Sequence, residues 1–168
     1  MKYFIKIILL MGISLLLLIG CSSTKQEKTI DNFINKLISV KTYENITSSE
    51  ADKFIDESKA IFEEDLTEDA FSTLMSNRIP YIYYTVINKN GINNTTDIKI
   101  VKTKETKNDT YTHYEYKVSY KLKSGDKSID MTDYMVFKVM KDNTSIIDEV
   151  YVLDKTSSIF SEHKTISQ

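Results

Sequence analysis

The sequence predicts an α+β domain, with helices first and an antiparallel sheet of about five strands after them. Between about residues 29 and 79 the apolar residues recur every three to four positions, which is typical of amphipathic helices. From there to about residue 154 they recur every second position, which is typical of strands. Short turns separate the strand segments, and short connections favour an antiparallel meander with the helices grouped apart from it.

The first two helices are predicted from apolar faces that begin next to capping residues. The first helix can be capped by Thr29 or Asp31. The second begins near Thr47, and Glu50 stands three residues later, which is the spacing of a capping box. Their inner faces are expected to be Ile30, Phe33, Ile34, Leu37 and Ile38 in the first helix, and Ala51, Phe54, Ile55, Ser58 and Phe62 in the second.

The third helix is predicted to begin at Thr67, and two acidic residues follow in its first turn, where the helix dipole favours negative charge. Leu66 before the cap and Phe71 after it have the spacing of a hydrophobic staple. Pro80 is expected to end this helix, because the residue before a proline disfavours the helical conformation.

Five strands are predicted after the helices, at residues 79–88, 97–106, 111–122, 128–140 and 145–154. The first strand is inferred from its β-branched and aromatic residues and from Asn90-Gly91 after it, which is a hairpin signal. The strand at 111–122 alternates most regularly, so one of its faces is expected to enter the core. That face consists of Tyr114, Tyr116, Val118, Tyr120 and Leu122.

Composition restricts the classes of partner. The formal net charge is −2, and it becomes −4 if the segment that contains Lys2 and Lys6 is removed. A mildly acidic domain lacks the excess of basic residues that binds the phosphates of nucleic acid, so we expect no nucleic-acid partner. Cys21 is the only cysteine, and the sequence contains neither a Gly-rich phosphate loop nor Cys/His metal spacing. No cofactor and no metal are therefore expected.

The N-terminal segment has the layout of a secretory signal. Lys2 and Lys6 precede an almost wholly apolar stretch from Ile7 to Ile19, and Leu18-Ile19-Gly20-Cys21 closes it. A bilayer core of ~30 Å needs about 20 apolar residues in a helix, so this stretch is short for a membrane span. The four closing residues resemble the lipobox of bacterial lipoproteins.

The lipobox resemblance implies that Cys21 receives a diacylglycerol and becomes the first residue of the mature chain, with Leu18, Ile19 and Gly20 as the recognition residues. Residues 1–20 are then a signal peptide, 21–28 a flexible tether and 29–168 a single α+β domain. The protein is expected at the cell membrane, held by its N-terminal lipid, with the domain on the extracytoplasmic side.

The order of helices and strands resembles the NTF2-like superfamily, in which a curved sheet and its helices form a cone. The resemblance covers roughly residues 29–154. It rests on Phe71-Ser72-Thr73-Leu74-Met75 leading into 79–88, and on Tyr134-Met135-Val136-Phe137-Lys138-Val139 followed by Asp142-Asn143 and 146–151. A cystatin-like curved sheet or another α+β lipoprotein sandwich has the same order and stays an alternative. Some NTF2-like enzymes hold an acidic base and tyrosine donors inside the cone.

Asp133 is the one candidate for chemistry, because it interrupts an apolar row on the predicted strand 128–140. A desolvated carboxylate has a raised pKa and can act as a base. The NTF2-like resemblance implies a candidate ligand pocket in which tyrosine hydroxyls join this carboxylate. The pocket residues are then Asp133, Tyr114, Tyr116 and Tyr120.

A β-bulge near Asp133-Tyr134 is the alternative, and we expect it over the pocket. Tyr134, Val136 and Met140 lie on the opposite face of the same strand, which indicates a change of register. A bulge would turn the Asp133 side chain to solvent.

The expected function is therefore non-catalytic: a lipid-anchored binding or assembly domain whose partner is a protein of the envelope. One alternative is a small-molecule enzyme of the NTF2-like type with a pocket around Asp133. Another is an accessory subunit of an envelope secretion or conjugation machine. A cone filled by apolar side chains favours binding, whereas a polar-lined cavity favours chemistry.

Overall fold

The computed structural model describes residues 24–44 and 46–167. Cys21 and the predicted lipobox residues Leu18, Ile19 and Gly20 lie outside the described residues. Six helices and four strands follow one another in the described part of the chain. Their bounds are α1 Lys25–Ile38, α2 Val40–Tyr43, α3 Ala51–Phe62, α4 Glu68–Ser76, α5 Ile79–Lys89, β1 Asn94–Lys107, β2 Tyr111–Ser124, β3 Lys127–Met140, β4 Ile147–Val152 and α6 Ser158–Ile166.

The four strands form one antiparallel meander in the order β1-β2-β3-β4. β2 and β3 pair without interruption over their whole length. β1 has two register irregularities against β2, between Thr96 and Lys99 and between Lys102 and Lys104. Such irregularities bend a strand and increase its twist. The α+β class with a curved antiparallel sheet is therefore confirmed.

One face of β2 and β3 is buried and the other is partly exposed, whereas β1 contains no buried residue. The predicted inner row of β2 is buried, and so is the predicted inner face of α1. This result follows from the two periods that the sequence displays, 3.6 for the helix and 2 for the strand. The core residues that these elements contribute are Ile30, Phe33, Ile34, Leu37 and Ile38 from α1, Tyr114, Tyr116, Val118, Tyr120 and Leu122 from β2, and Met131, Met135, Phe137 and Val139 from β3.

The segment predicted as the first strand is helix α5, so the sheet has four strands and the prediction of about five is wrong. The buried residues of α5 have helical spacing, and this helix packs against α4 and α6. Tertiary packing overrode the β-propensity of its composition. The buried apolar positions are Ile79, Ile82, Tyr83, Val86 and Ile87.

Pro80 begins a helix and does not end one, which corrects the predicted boundary. It lies in the first turn of α5, where its missing N–H removes no hydrogen bond of the helix. Arg78, in the left-handed region at φ 57°, makes the turn between α4 and α5.

Asn90-Gly91 ends helix α5 and is not the hairpin turn that the sequence suggested. The Ile92 N–H donates to the Ile87 carbonyl at 2.9 Å, and the Gly91 N–H donates to the Asn88 carbonyl at 3.1 Å. Together these bonds form a Schellman motif, which places its penultimate residue in the left-handed region. Gly91 has φ 58°, as this motif requires.

Helix α1 begins at Lys25, so residues 25–28 are helical and do not belong to a tether. The cap is Thr24, not Thr29 or Asp31. The Glu27 N–H donates to Thr24 Oγ1 at 3.2 Å, and the Thr24 N–H donates to Glu27 Oε2 at 2.6 Å. This capping box is readable in the sequence as Thr-x-x-Glu.

Helix α3 begins at Ala51 and has no side-chain cap, so the predicted capping box of Thr47 and Glu50 is wrong. The Thr47 N–H and hydroxyl instead donate to the Glu57 carboxylate at 2.9 and 2.6 Å. Phe54, Ser58 and Phe62 are buried as predicted, but Ile55 is 41% exposed and Ala51 is exposed as well.

The predicted start of helix α4 at Thr67 is confirmed. The Ala70 N–H donates to Thr67 Oγ1 at 3.2 Å, which satisfies one of the free donors of the first turn. Leu66 forms an isolated parallel bridge with Ile147, so the residue before the cap ties α4 to the start of β4.

Candidate functional site

Asp133 lies inside the core, and the predicted bulge is absent. It stands opposite Val118 in an uninterrupted β2–β3 register, and its exposed fraction is 0%. The carboxylate therefore belongs to the buried row of β3, between Met131 and Met135. The expectation that Asp133 faces solvent is wrong.

Three donors from three different elements surround the Asp133 carboxylate. The Tyr120 hydroxyl of β2 and the Tyr83 hydroxyl of α5 both donate to Oδ2, at 2.6 and 2.7 Å. The Ile159 N–H, in the first turn of α6, donates to Oδ1 at 3.1 Å. A buried carboxylate needs such partners, because an unpaired one would carry a large desolvation penalty.

The start of helix α6 is held against β3 at the place where β4 has ended. β4 pairs with β3 only as far as Val152 opposite Met135. Beyond that point the N–H groups of Tyr134 and Thr132 donate to the hydroxyls of Ser157 and Ser158, at 2.9 and 3.1 Å. The two serines thus replace the missing strand partner, and this docking brings the α6 N-terminus to Asp133.

Burial dominates the electrostatics of this cluster. It raises the pKa of the Asp133 carboxyl above its ordinary value, although hydrogen bonds from Tyr120, Tyr83 and the Ile159 N–H oppose the change. Burial also raises the pKa of the Tyr83 hydroxyl and of the Tyr120 hydroxyl, and the nearby Asp133 charge raises both further. Both tyrosines therefore stay protonated and act as donors.

Of the four predicted pocket residues, the structure brings together only Asp133 and Tyr120. The Tyr114 hydroxyl donates to Gln26 Oε1 at 2.6 Å, near the first turn of α1. Tyr116 is buried and packs edge-on against Phe137 at 5.8 Å between ring centroids. Neither of these two hydroxyls is among the partners that the described residues supply to Asp133.

Tyr83 is the member of the cluster that sequence reasoning missed. The sequence predicts it on the strand 79–88, where neighbouring tyrosines alternate between faces. The spacing of Ile79, Ile82, Tyr83 and Val86 is the signal that would have placed it on the buried face of a helix.

The surface has an apolar groove between α3, α4 and the start of α5, which we call the α3–α4 groove. It comprises a cleft of about 690 Å³ and an adjoining one of about 360 Å³, and Ile55 and Met75 line both. Tyr81 is 36% exposed beside it, and Phe71 is half-buried. The apolar lining is Ala51, Phe54, Ile55, Leu66, Phe71, Met75 and Tyr81.

Acidic side chains predominate around this groove. Asp56, Glu63 and Glu68 line the larger cleft together with Lys59. Within the described residues, none of these three carboxylates is in an ion pair. Arg78 lines the smaller cleft, so the groove offers apolar contacts with a rim that is negatively charged only beside the larger cleft.

Two further observations concern the described residues alone. In 24–44 and 46–167, no group of three or more His, Cys, Asp or Glu side chains is placed to hold a metal ion. The helices within these ranges are all too short or too polar to cross a bilayer.

The comparisons with known proteins give no relative: no family model, no curated protein and no solved structure matches this chain.

Proposed function

We propose that this protein is a lipid-anchored, extracytoplasmic binding domain that acts through the α3–α4 groove. The exposure of Ile55 carries this proposal, because a large apolar side chain on an otherwise regular amphipathic helix faces outward, at 41% exposure. Together with Tyr81 and Met75 it forms a contiguous apolar surface, and such surfaces mark interaction sites.

The occupant that fits this groove is an amphipathic helix with lysine or arginine beside its apolar face. Apolar anchors match the lining, and basic residues match the rim of Asp56, Glu63 and Glu68. A protein of the cell envelope with such a segment is the partner we propose. An accessory subunit of a secretion or conjugation machine is one form that this assembly role would take.

The anchor is the second part of the proposal. The Leu18-Ile19-Gly20-Cys21 pattern supports lipid attachment at Cys21, after which the domain stays at the outer face of the cell membrane. Cys21→Ala should abolish labelling by radioactive palmitate, whereas Ser22→Ala should leave labelling intact. A Cys21→Ala chain that still takes up label would contradict the anchor.

The fold we propose is of the NTF2-like type, with a cystatin-like sheet as the alternative. Support comes from the curved four-stranded meander that follows the helices α1 to α5. An enzyme of this type centred on Asp133 has less support. Both carboxylate oxygens already accept hydrogen bonds from core groups, and the residue has no exposed surface.

A peptide titration tests the groove. The probe is a fluorescent Leu/Lys amphipathic helix, and a Leu/Glu peptide of the same pattern is its control. We expect the full chain to bind the Leu/Lys peptide only. Ile55→Glu should weaken binding at least tenfold, or ~1.4 kcal/mol. Ile98→Glu, at an equally exposed isoleucine of β1, should not change it.

Three outcomes would contradict the groove proposal. They are equal binding of both peptides, equal losses in Ile55→Glu and Ile98→Glu, and self-association of the chain that Ile55→Glu abolishes. The last result would identify a second copy of this chain as the occupant.

A further inference from the structure

Helix α1 begins very close to the anchor proposed above. Only Ser22 and Ser23 separate Cys21 from the helix cap Thr24. Three steps of ~3.8 Å place the Thr24 Cα within about 11 Å of the Cys21 Cα. Acyl chains in the hydrocarbon core keep Cys21 at the headgroup layer, which is about 5–8 Å thick on each side. The first turn of α1 must therefore lie at the membrane surface.

The first turn of α1 is also fixed to the sheet, so it cannot swing away from the domain. Gln26 Oε1 accepts from the Tyr114 hydroxyl at 2.6 Å. The Glu27 carboxylate pairs with Lys102 Nζ at 2.5 Å, and this hydrogen bond lowers the pKa of Glu27. The position of Thr24 near the bilayer therefore limits the position of the whole sheet.

The same end of the domain contains the β1–β2 turn and the β3–β4 loop. Gln26 Nε2 donates to the Met140 carbonyl at 3.5 Å, and the Thr29 hydroxyl lies 3.4 Å from the Thr144 carbonyl, which accepts from it. The Lys141 N–H donates to the Thr110 carbonyl at 2.9 Å, which joins the turn to the loop.

The other end of the domain contains the β2–β3 turn. There the Thr95 hydroxyl donates to the Ile38 carbonyl at 2.9 Å, so the C-terminus of α1 meets the start of β1. The Asn93 N–H donates to the Lys123 carbonyl at 2.9 Å, next to the turn at Gly125. Helix α1 reaches from one end to the other, and its 14 residues span about 21 Å at ~1.5 Å per residue, so the two ends are separated by roughly this length.

We infer that the anchored domain stands on the bilayer with one particular end against the lipid headgroups. This end, the membrane-proximal end, consists of residues 24–28, the turn 108–110 and the loop 141–146. The inference rests on the lipid anchor at Cys21. The β2–β3 turn points away from the membrane.

The charges of the membrane-proximal end permit contact with anionic lipids. Lys25, Lys28 and Lys141 are exposed, and within the described residues none of them is in an ion pair. Asp109 and Asp142 are exposed beside them. Glu27 is the third acidic residue of this end, so its formal charge is zero, in a chain whose net charge is −2. Lysines close to an anionic bilayer surface are attracted to it.

A pair of matched cysteine variants tests this orientation. Lipid attachment consumes the Cys21 thiol, so a second cysteine is the only free thiol in the lipidated chain. Asp142→Cys places a fluorophore at the membrane-proximal end, and Asp126→Cys places one in the β2–β3 turn, at another exposed aspartate. Each full chain is reconstituted into phosphatidylcholine and phosphatidylglycerol vesicles that contain headgroup-nitroxide lipid.

We expect the Asp142→Cys label to lose most of its fluorescence and the Asp126→Cys label to lose almost none. Equal quenching of both labels, or stronger quenching at position 126, would overturn the orientation while leaving the anchor intact. If the N-terminal peptide has no lipid and the chain does not float with the vesicles, the anchor and the orientation are both contradicted. Mass spectrometry and flotation thus separate the two failures.

A linker insertion tests whether the short tether causes the orientation. About thirty Gly/Ser residues between Ser23 and Thr24 add a mean span of ~30 Å. The quenching difference between positions 142 and 126 should then largely disappear. An unchanged difference would contradict the tether as its cause.

Discussion

The buried cluster around Asp133 makes a strong and specific prediction about stability. Asp133→Ala removes the acceptor of the Tyr83 hydroxyl, the Tyr120 hydroxyl and the Ile159 N–H. A hydrogen bond to a charged group contributes ~1.5–3 kcal/mol, and coupled losses in one cluster do not add fully. The substitution also removes the desolvation penalty of the carboxylate. We therefore expect the free energy of unfolding to fall by about 3–5 kcal/mol.

A loss of that size is a large fraction of the ~5–15 kcal/mol that stabilises a typical domain, so Asp133→Ala can fail to fold. Tyr83→Phe is the gentler test, because it removes one of the three donors and keeps the aromatic ring. We expect it to cost about 1.5–2 kcal/mol. Tyr81→Phe, two residues earlier on α5 and partly exposed, is the matched control and should change stability by less than about 0.5 kcal/mol.

Urea unfolding followed by circular dichroism measures these differences in free energy. Asp130→Asn is the control for Asp133→Asn, because it lies on the same strand with its side chain largely in solvent. If Tyr83→Phe were as mild as Tyr81→Phe, or Asp133→Asn as mild as Asp130→Asn, the cluster would not have the structural role that its geometry indicates.

Two further predictions concern pH and the end of helix α5. Burial raises the pKa of Asp133, so the folded state binds this proton more readily than the unfolded chain, whose carboxyl pKa is ~3.9. The free energy of unfolding of the unsubstituted protein, relative to that of Asp133→Asn, should therefore increase as the pH falls through the folded pKa towards ~3.9. If urea titrations instead showed this difference increasing as the pH rises, the raised pKa of Asp133 would be contradicted. Gly91→Ala should lower the free energy of unfolding by ~1–2 kcal/mol in the same assay, because φ is 58° and a residue with a Cβ is strained there. The new Cβ would lie 3.6 Å from Ser124 Oγ, so no clash adds to this loss. Gly91→Asn should cost less, because asparagine tolerates this conformation, and equal losses would argue against backbone strain.

The sequence contained enough information for the parts of the fold that have a strict period. The face of β2 and the face of α1 were both predicted correctly, because each has one buried side and one solvated side. The strand prediction for residues 79–88 is wrong, because their β-branched and aromatic composition outweighs their helical spacing in the sequence. The two signals conflicted, and tertiary packing decided between them.

The candidate site was predicted less well than the fold. The sequence shows that Asp133 interrupts an apolar row, but its environment depends on α5 and α6. The partners on these helices, Tyr83 and Ile159, lie 50 residues before and 26 residues after it. No local pattern in β3 reveals those partners. The exposure of Ile55 was also missed, since a helical face in the sequence does not show which part of it a neighbouring helix leaves uncovered.

The claim that this protein acts through a surface groove and not through its core is tested most directly by hydrogen–deuterium exchange. The full chain is compared with and without the Leu/Lys amphipathic peptide. We predict slower exchange in residues 51–62 and 68–78, which line the groove, and no change in 158–166, beside Asp133. Protection that appears at Asp133 and α6 but leaves the groove unchanged would contradict the account.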